Sequence, residues 1–190
     1  MSEPVGERRI VSVLVSDIVD STTIGERLGP ERSKFLFDEL ARLQEEQVRR
    51  FGGTVAQHTG DGLLALFGTP MAHGDDAERA VRAALAIHEA LARYGREVAA
   101  AYDIELSARV GINTGPVVVP ASDAAPDVLY NALGDTVNVA ARLQPHAGAN
   151  GTVATPSRMP RRFRTGPFAI SCVPGSVSAH LPRKPASGSS

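Results

Sequence analysis

The stretch Ile-Val-Ser-Val-Leu-Val-Ser-Asp, residues 10–17, decides how the chain folds. Its β-branched and apolar side chains are typical of a buried strand, and Asp17 then stands where that strand ends. After Gly29-Pro30 the pattern changes to apolar side chains spaced three and four residues apart, which predicts a long helix. Gly52-Gly53 ends this helix. The chain therefore begins with a strand that leads into a helical region.

Two short strand-like runs follow at 54–58 and 63–67, and the residues between them are Thr-Gly-Asp-Gly. An Asp-Gly step between two such runs is a strong signal for a hairpin. Asp61 is then predicted to lie at the tip of the hairpin. If the hairpin neighbours the opening strand, Asp17 and Asp61 converge on one edge of the sheet.

The remaining pattern predicts a second set of elements. A long helix that opens at Asp75 and Asp76 should cover one face of the sheet, because its apolar side chains repeat at helical spacing. The other predicted elements are a strand over 107–112, a short strand over 117–119, a helix over about 136–143 and an edge strand over 152–154. This order indicates an α+β fold with a ferredoxin-like βαββαβ core, an antiparallel sheet with helices on one side.

Length and composition set the predicted domain organisation. The 190 residues suffice for one domain with a core of its own. From residue 174 onward, Pro, Gly and Ser supply 10 of the final 17 residues, and no apolar period continues. We therefore predict one domain over 1–170 and a disordered tail over 171–190.

Charge and cysteine content exclude several classes of protein. The 20 basic and 21 acidic side chains nearly cancel, so no summed field favours nucleic acid or an anionic membrane as a partner. The single cysteine, Cys172, cannot form an internal disulfide. The N-terminus carries no leader pattern, and the apolar stretches are shorter than the roughly 20 residues that span a bilayer. A cytoplasmic protein that binds neither nucleic acid nor membrane is predicted.

Asp17 and Asp61 are candidate metal ligands. Two neighbouring carboxylates repel each other unless a positive charge lies between them, and their hard oxygens suit Mg²⁺ or Mn²⁺. The turn over 18–23, directly after Asp17, offers free backbone N–H groups that could receive a triphosphate. Taken singly, Asp17 could instead be a helix cap and Asp61 a turn residue.

Asn138 and Arg142 are four residues apart on a predicted helix and therefore share one face. A guanidinium at this position can donate hydrogen bonds to phosphate oxygens, and a carboxamide can hydrogen-bond a sugar oxygen. Taken alone, such a pair is more often part of a solvated helix face than of a catalytic site.

Four motifs occur together along the chain. They are Val-Ser-Asp-Ile-Val-Asp-Ser-Thr at 15–22, Thr-Gly-Asp-Gly at 59–62, Arg-Val-Gly-Ile-Asn-Thr-Gly at 109–115 and Gly-Asp-Thr-Val-Asn-Val-Ala-Ala-Arg-Leu at 134–143. This combination resembles the class III adenylyl and guanylyl cyclase catalytic domains over roughly residues 8–170. The resemblance implies the class III cyclase fold and an enzyme that converts a nucleoside triphosphate, here ATP, to a 3′,5′-cyclic monophosphate and pyrophosphate.

The resemblance also implies a role for each motif residue. Asp17 and Asp61, with the backbone carbonyl of Ile18, would hold two divalent cations, Mg²⁺ or Mn²⁺. The phosphates would lie against the turn that follows, so the expected substrate-binding residues there are Ile18, Val19, Asp20, Ser21 and Thr22. Asn138 would orient the ribose and Arg142 would stabilise the charge that develops on the α-phosphate. Family members are head-to-tail dimers with shared sites, which implies a homodimer.

The residues that select the base depart from the family pattern. By resemblance these positions are Gln57 and Asn131, where adenylyl cyclases usually carry Lys with Asp, Thr or Ser, and guanylyl cyclases commonly carry Glu with Cys. An amide has both a donor and an acceptor, so the pair admits adenine without excluding guanine, cytosine or uracil. A cyclase acting on GTP, CTP or UTP, or a catalytically weak regulatory homology domain, are the alternatives. Because Asp17, Asp61 and Arg142 are retained, the regulatory alternative is disfavoured.

Overall fold

The structure, a computed structural model, describes residues 6–120, 134–155, 169–173 and 176–180. The α-helices are α1 (Ser21–Leu28), α2 (Pro30–Arg50), α3 (Asp76–Tyr102) and α4 (Gly134–Leu143), and a 3-10 turn follows α4 at Gln144–His146. The strands are β1 (Gly6–Ile18), β2 (Thr54–His58), β3 (Leu63–Phe67), β4 (Ala108–Pro120), β5 (Gly151–Ala154), β6 (Ala169–Val173) and β7 (Ser176–His180).

These strands form one mixed sheet in the order β2-β3-β1-β4-β5-β7-β6. Strand β1 lies between β3 and β4 and pairs antiparallel with both. Strands β4 and β5 are parallel, because helix α4 connects them as a crossover. The predicted α+β class is confirmed, whereas the prediction of a wholly antiparallel sheet is wrong at this one pair.

Three other predictions about strands need correction. The two strands expected over 107–112 and 117–119 are one continuous strand, β4, because its whole length pairs with the long β1. Strand β5 is not an edge strand, since it pairs with β4 on one side and β7 on the other. Residues 171–173 and 176–180 of the predicted disordered tail lie in β6 and β7, so the predicted boundary at residue 170 falls inside a strand.

The two faces of the sheet carry separate apolar clusters. Alternate residues of β1 divide between them, so that Leu14 belongs to the larger cluster beneath α2 and α3, while Val13 belongs to the smaller one with Ala140 of α4. Helix α4 therefore covers the face opposite to α2 and α3, which corrects the expectation of helices on one side only. Asp17 has the same parity as Val13 and lies on the α4 face.

Glycines in β4 bring α4 close to the sheet. A Cβ atom added at Gly111 would lie 2.2 Å from the Ala140 carbonyl oxygen and 2.7 Å from the Gln144 nitrogen. A Cβ at Gly115 would meet the Thr136 hydroxyl at 2.7 Å. The motif over 109–115 thus leaves room for the helix, because Gly111 and Gly115 carry no side chain where α4 crosses the strand.

Two buried polar contacts join the helices of the other face to the sheet. Ser16 donates to the side-chain oxygen of Gln44 on α2 at 2.6 Å, and His88 on α3 lies 3.0 Å from the Thr152 hydroxyl on β5. Both contacts satisfy polar atoms inside the core. In the described part of the chain, no helix has the length and apolar character that crossing a membrane requires.

Candidate active site

Asp17 and Asp61 lie side by side at one edge of the sheet. Asp17 is the penultimate residue of β1, and Asp61 lies in the turn between β2 and β3, as the sequence predicts. Strand β3 pairs with β1 so that Leu63 is opposite Ser16. Gly62 lies so close to β1 that an added Cβ would be 2.0 Å from the Ser16 carbonyl oxygen. This close approach brings the two carboxylates into contact.

The Asp17 carboxylate has three charged or polar neighbours. Arg109 Nη2 donates to Asp17 Oδ2 at 2.9 Å, and Gln144 Nε2 donates to the same oxygen at 3.2 Å. The pKa of Asp17 is raised above its ordinary value by partial burial and by the charge and hydrogen bond of Asp61, and Arg109 opposes this rise. Two like charges held together in this way favour a cation between them.

The sequence motifs do not predict Arg109 and Gln144 as site residues. Arg109 lies within a quoted motif and is paired directly with Asp17 across β1 and β4, so the strand register places the guanidinium beside the carboxylate. That register cannot be read from local periodicity. Gln144 directly follows the helix motif, and nothing in its spacing distinguishes it from a residue on a solvated turn.

The raised pKa of Asp17 predicts a pH-dependent stability in the absence of divalent metal. The folded carboxyl keeps its proton to a higher pH than the unfolded one, whose pKa is about 4. The folded state therefore binds more protons in the window between these values, and stability falls as the pH rises through it. Asp17→Asn removes the ionisation. The difference in free energy of unfolding between this variant and wild type should therefore shift in favour of the variant as the pH rises through that window. Urea unfolding at a series of pH values in EDTA measures this, and an advantage that shrinks with rising pH contradicts it.

The donor set fits a pair of divalent cations. Asp17 and Asp61 present carboxylate oxygens, and the backbone of Ile18 at the end of β1 adds a carbonyl next to them. Within the described residues there is no cluster of three or more His, Cys, Asp or Glu side chains suited to a metal. Mg²⁺ usually completes its coordination with water and substrate phosphate oxygens.

Helix α1 begins directly beside this edge. Asp20 precedes its first residue, has a left-handed backbone with φ of 56°, and makes no side-chain capping bond within the described chain. The N–H groups of Ser21 and Thr22 have no acceptor inside the helix, so they remain candidates for phosphate binding. The Val19 N–H donates to the Ser107 carbonyl oxygen at 2.9 Å, so this one N–H group of the turn is already engaged within the chain.

Asn138 and Arg142 share one face of α4, but that face points away from the sheet. Ala140 is buried against the sheet and Asn138 and Arg142 lie on the opposite side of the helix, both exposed. The Arg142 side chain is 74% exposed, and its ion pair with the exposed Asp135 spans 3.8 Å. One chain therefore does not bring this pair to its own Asp17 and Asp61.

Gln57 lies on the same face of the sheet as Asp17. A bulge at Ala56 shifts the register of β2, so that Gln57 pairs with Leu64, and Leu64 pairs with Val15. Directly paired residues share a face, and Val15 and Asp17 have the same parity. The exposed Gln57 side chain is thus available on the side where a substrate would lie. Asn131 lies outside the described residues.

Gly62 gives a test of the geometry that joins the two carboxylates. Gly62→Ala should destabilise the fold by about 1–3 kcal/mol, because its Cβ would meet the rigid backbone of β1. Urea unfolding measures the change. Gly25→Ala in α1 is the matched control, since no atom of the described residues lies within 4 Å of its added Cβ, and it should stabilise by up to about 1 kcal/mol. Equal stability for Gly62→Ala and wild type would contradict the close approach.

Comparison with known proteins decides the family. The sequence model described as "Adenylate and Guanylate cyclase catalytic domain" matches residues 4–176, nearly the whole chain. The chain belongs to this family of cyclase catalytic domains. The resemblance drawn from the four motifs is confirmed, and the class III cyclase fold with it.

Curated relatives of the cyclase domain are much longer proteins. Adenylate cyclase 1 of Rhizobium meliloti (strain 1021) is 39% identical over 137 residues, which is 72% of this chain and 21% of that protein. Putative adenylate cyclase 3 of the same strain is 32% identical over 144 residues, or 76% of this chain and 22% of that protein. The chain thus spans about a fifth of the length of these two relatives.

Solved structures show the same fold. The adenylyl cyclase CyaB from P. aeruginosa superposes with a TM-score of 0.77 at 24% identity, covering 94% of this chain and 96% of that one. The catalytic core of a rhodopsin-guanylyl cyclase with converted specificity, solved in complex with ATPαS, has a TM-score of 0.71 at 25% identity, covering 96% and 100% of the two chains.

Proposed function

We propose that this cyclase domain converts ATP to 3′,5′-cyclic AMP and pyrophosphate with the help of two divalent cations, Mg²⁺ or Mn²⁺. The observation that carries the proposal is the contact between Asp17 and Asp61 at a sheet edge directly before the N-terminus of α1. This edge combines hard oxygen ligands for cations with backbone N–H groups for phosphate. Because the chain belongs to the cyclase family, cyclisation of a nucleoside triphosphate is the reaction that these groups would support.

The reaction joins the ribose 3′-oxygen to the α-phosphorus and breaks the bond from that phosphorus to the oxygen shared with the β-phosphate. The 3′-hydroxyl loses its proton, and pyrophosphate leaves. Bound cations supply a lowered pKa for the hydroxyl and neutralise charge on the phosphates. Because the nucleophile belongs to the substrate, the protein contributes position and electrostatics. Asp17 and Asp61 hold the cations, and the N–H groups of Ser21 and Thr22 bind phosphate oxygens.

A second copy of the chain completes the site in this proposal. Asn138 and Arg142 are exposed on the side of α4 that faces away from the sheet, so they can serve a site only across an interface. In a two-fold dimer each copy would give its carboxylates to one site and its Asn138 and Arg142 to the other. Arg142 would then stabilise charge on the α-phosphate and Asn138 would orient the ribose.

ATP is the proposed substrate, with relaxed base specificity as the second candidate. The curated relative with 39% identity bears the name adenylate cyclase, which favours ATP. The uncharged amide of Gln57 favours relaxed specificity, because turning it over exchanges donor and acceptor and lets it meet guanine or a pyrimidine. The charge that would sharpen discrimination is absent at this position.

An assay with all four nucleoside triphosphates tests the substrate. Purified protein with Mn²⁺ and each triphosphate in turn should give cyclic AMP fastest, as identified by mass. Gln57→Lys should raise the preference for ATP over GTP by about tenfold. An ammonium group only donates hydrogen bonds, so it can pair with N1 of adenine, which is an acceptor, but not with the N1–H of guanine, which is a donor. Gln57→Met, which lacks both donor and acceptor, should lower the rate with every base. A wild-type rate that is highest with another triphosphate would overturn the choice of ATP.

A further inference from the structure

Gln144 occupies an unusual position between α4 and the two carboxylates. It is the first residue of the 3-10 turn after α4, and the residue is only 7% exposed. Its Nε2 donates to Asp17 Oδ2 at 3.2 Å, a contact between residues far apart in sequence. Arg109 donates to the same oxygen, so Asp17 accepts hydrogen bonds from a charged donor and from an uncharged one.

Close packing between the turn after α4 and strand β4 determines the position of the Gln144 side chain. The backbone nitrogen and Cα of Gln144 lie so close to Gly111 of β4 that an added Cβ would meet them at 2.7 and 3.0 Å. Gly111 is two residues beyond Arg109, the residue paired with Asp17. The turn after α4 therefore packs directly on β4 next to Asp17, and the side-chain amide of Gln144 extends to the neighbouring strand β1.

The uncharged donor has a chemical advantage over a charged one. A hydrogen bond from an amide orients the carboxylate and favours its ionised form without placing a second positive charge beside a cation site. Arg109 supplies charge but would repel a divalent cation, whereas Gln144 would not. Loss of a group that hydrogen-bonds a ligating residue typically lowers metal affinity or activity by about 10- to 100-fold.

We propose that Gln144 is a positioning residue that holds the Asp17 carboxylate in the orientation required for divalent cations. This inference rests on the proposed function, because it concerns the metal site assigned there. Gln144 itself touches neither substrate nor cation. Its loss should weaken metal binding and leave nucleotide binding at saturating metal largely unchanged.

The test compares two equally buried glutamines. Gln144→Met removes the amide at the site, and Gln47→Met removes that of a glutamine on α2 that is also 7% exposed. Each variant of the 190-residue chain is titrated with Mn²⁺ alone, and paramagnetic broadening of the Gly62 and Ser21 amide NMR signals reports binding. Gln144→Met should need about tenfold more Mn²⁺ than wild type for half of the effect, and Gln47→Met should need the same amount as wild type.

A kinetic measurement adds an independent reading. The Mn²⁺ concentration that gives half-maximal cyclisation should also rise about tenfold in Gln144→Met, while the KM for ATP at saturating Mn²⁺ changes less than about twofold. Should Gln144→Met fail to fold, Gln144→Asn gives the same decision, because its side chain is shorter by about 1.5 Å and its amide no longer reaches Asp17 within hydrogen-bond distance.

The outcomes separate this inference from the proposed function. If Asp17→Ala loses the broadening but Gln144→Met behaves like Gln47→Met, the positioning role is overturned and the metal site stands. If Asp17→Ala binds Mn²⁺ as wild type does, the metal assignment and the role of Gln144 both fall.

Discussion

Replacing Asp17 or Asp61 with alanine is expected to lower the rate of cyclic AMP formation at least about a thousandfold. Each carboxylate supplies negative oxygens that the proposed cations need, and the remaining carboxylate alone cannot hold both. The loss of several kcal/mol of transition-state stabilisation corresponds to this factor. Turnover in Mn²⁺, followed as cyclic AMP by mass, measures it directly.

The fold should survive both substitutions. Asp17 is partly exposed and its pKa is raised, so removing its charge relieves repulsion from Asp61. Urea unfolding in EDTA should give both variants at least wild-type stability. Asp38→Ala is the matched control, since Asp38 is an exposed carboxylate on α2 in an ion pair with Lys34, and it should keep full activity. Wild-type turnover in Asp17→Ala or Asp61→Ala would refute the metal assignment.

Arg142→Ala is expected to lower turnover by about a hundredfold or more, although the Arg142 side chain is 74% exposed in its own chain. The reason is that the Arg142 side chain is proposed to extend across the dimer interface. Its guanidinium would there contact the α-phosphate of the substrate bound to the partner copy. Loss of a donor aimed at developing charge typically has an effect of this size. Stability should not change, because the only ion pair of the side chain found in the described residues is the exposed one with Asp135.

Mixing two inactive variants tests the shared site. Asp17→Ala and Arg142→Ala, combined in equal amounts, should recover up to about a quarter of wild-type activity per chain, because half of the dimers are mixed and each mixed dimer contains one intact site. Asp17→Ala mixed with Asp61→Ala is the control and should recover nothing, since both residues belong to the same half of the site. No recovery in the first mixture, with dimers confirmed by sedimentation, would place the two groups in one chain.

Local patterns predicted most of the elements that build the site. The apolar stretch over 10–17 gave β1 with Asp17 at its end, and the Asp-Gly step gave a hairpin with Asp61 in its turn. The helix over 136–143 was predicted nearly to its ends. Each of these rests on periodicity and turn chemistry within about ten residues, which a sequence carries directly.

Contacts between distant strands could not be predicted in this way. The pairing of Asp17 with Arg109 depends on the register between β1 and β4, and the approach of Gln144 depends on Gly111 in the strand beneath it. The parallel pairing of β5 and the strands beyond residue 168 likewise depend on partners from other parts of the chain. Composition suggested disorder there because Pro, Gly and Ser are frequent, whereas pairing with a neighbouring strand decides the structure.

The most direct test of the central claim is a product analysis with ATP. Purified wild-type protein, incubated with ATP and Mn²⁺, should form 3′,5′-cyclic AMP and pyrophosphate in equal amounts, and Asp17→Ala prepared in parallel should form neither. Absence of cyclic AMP from the wild-type reaction, or its formation at the same rate by Asp17→Ala, would contradict the account.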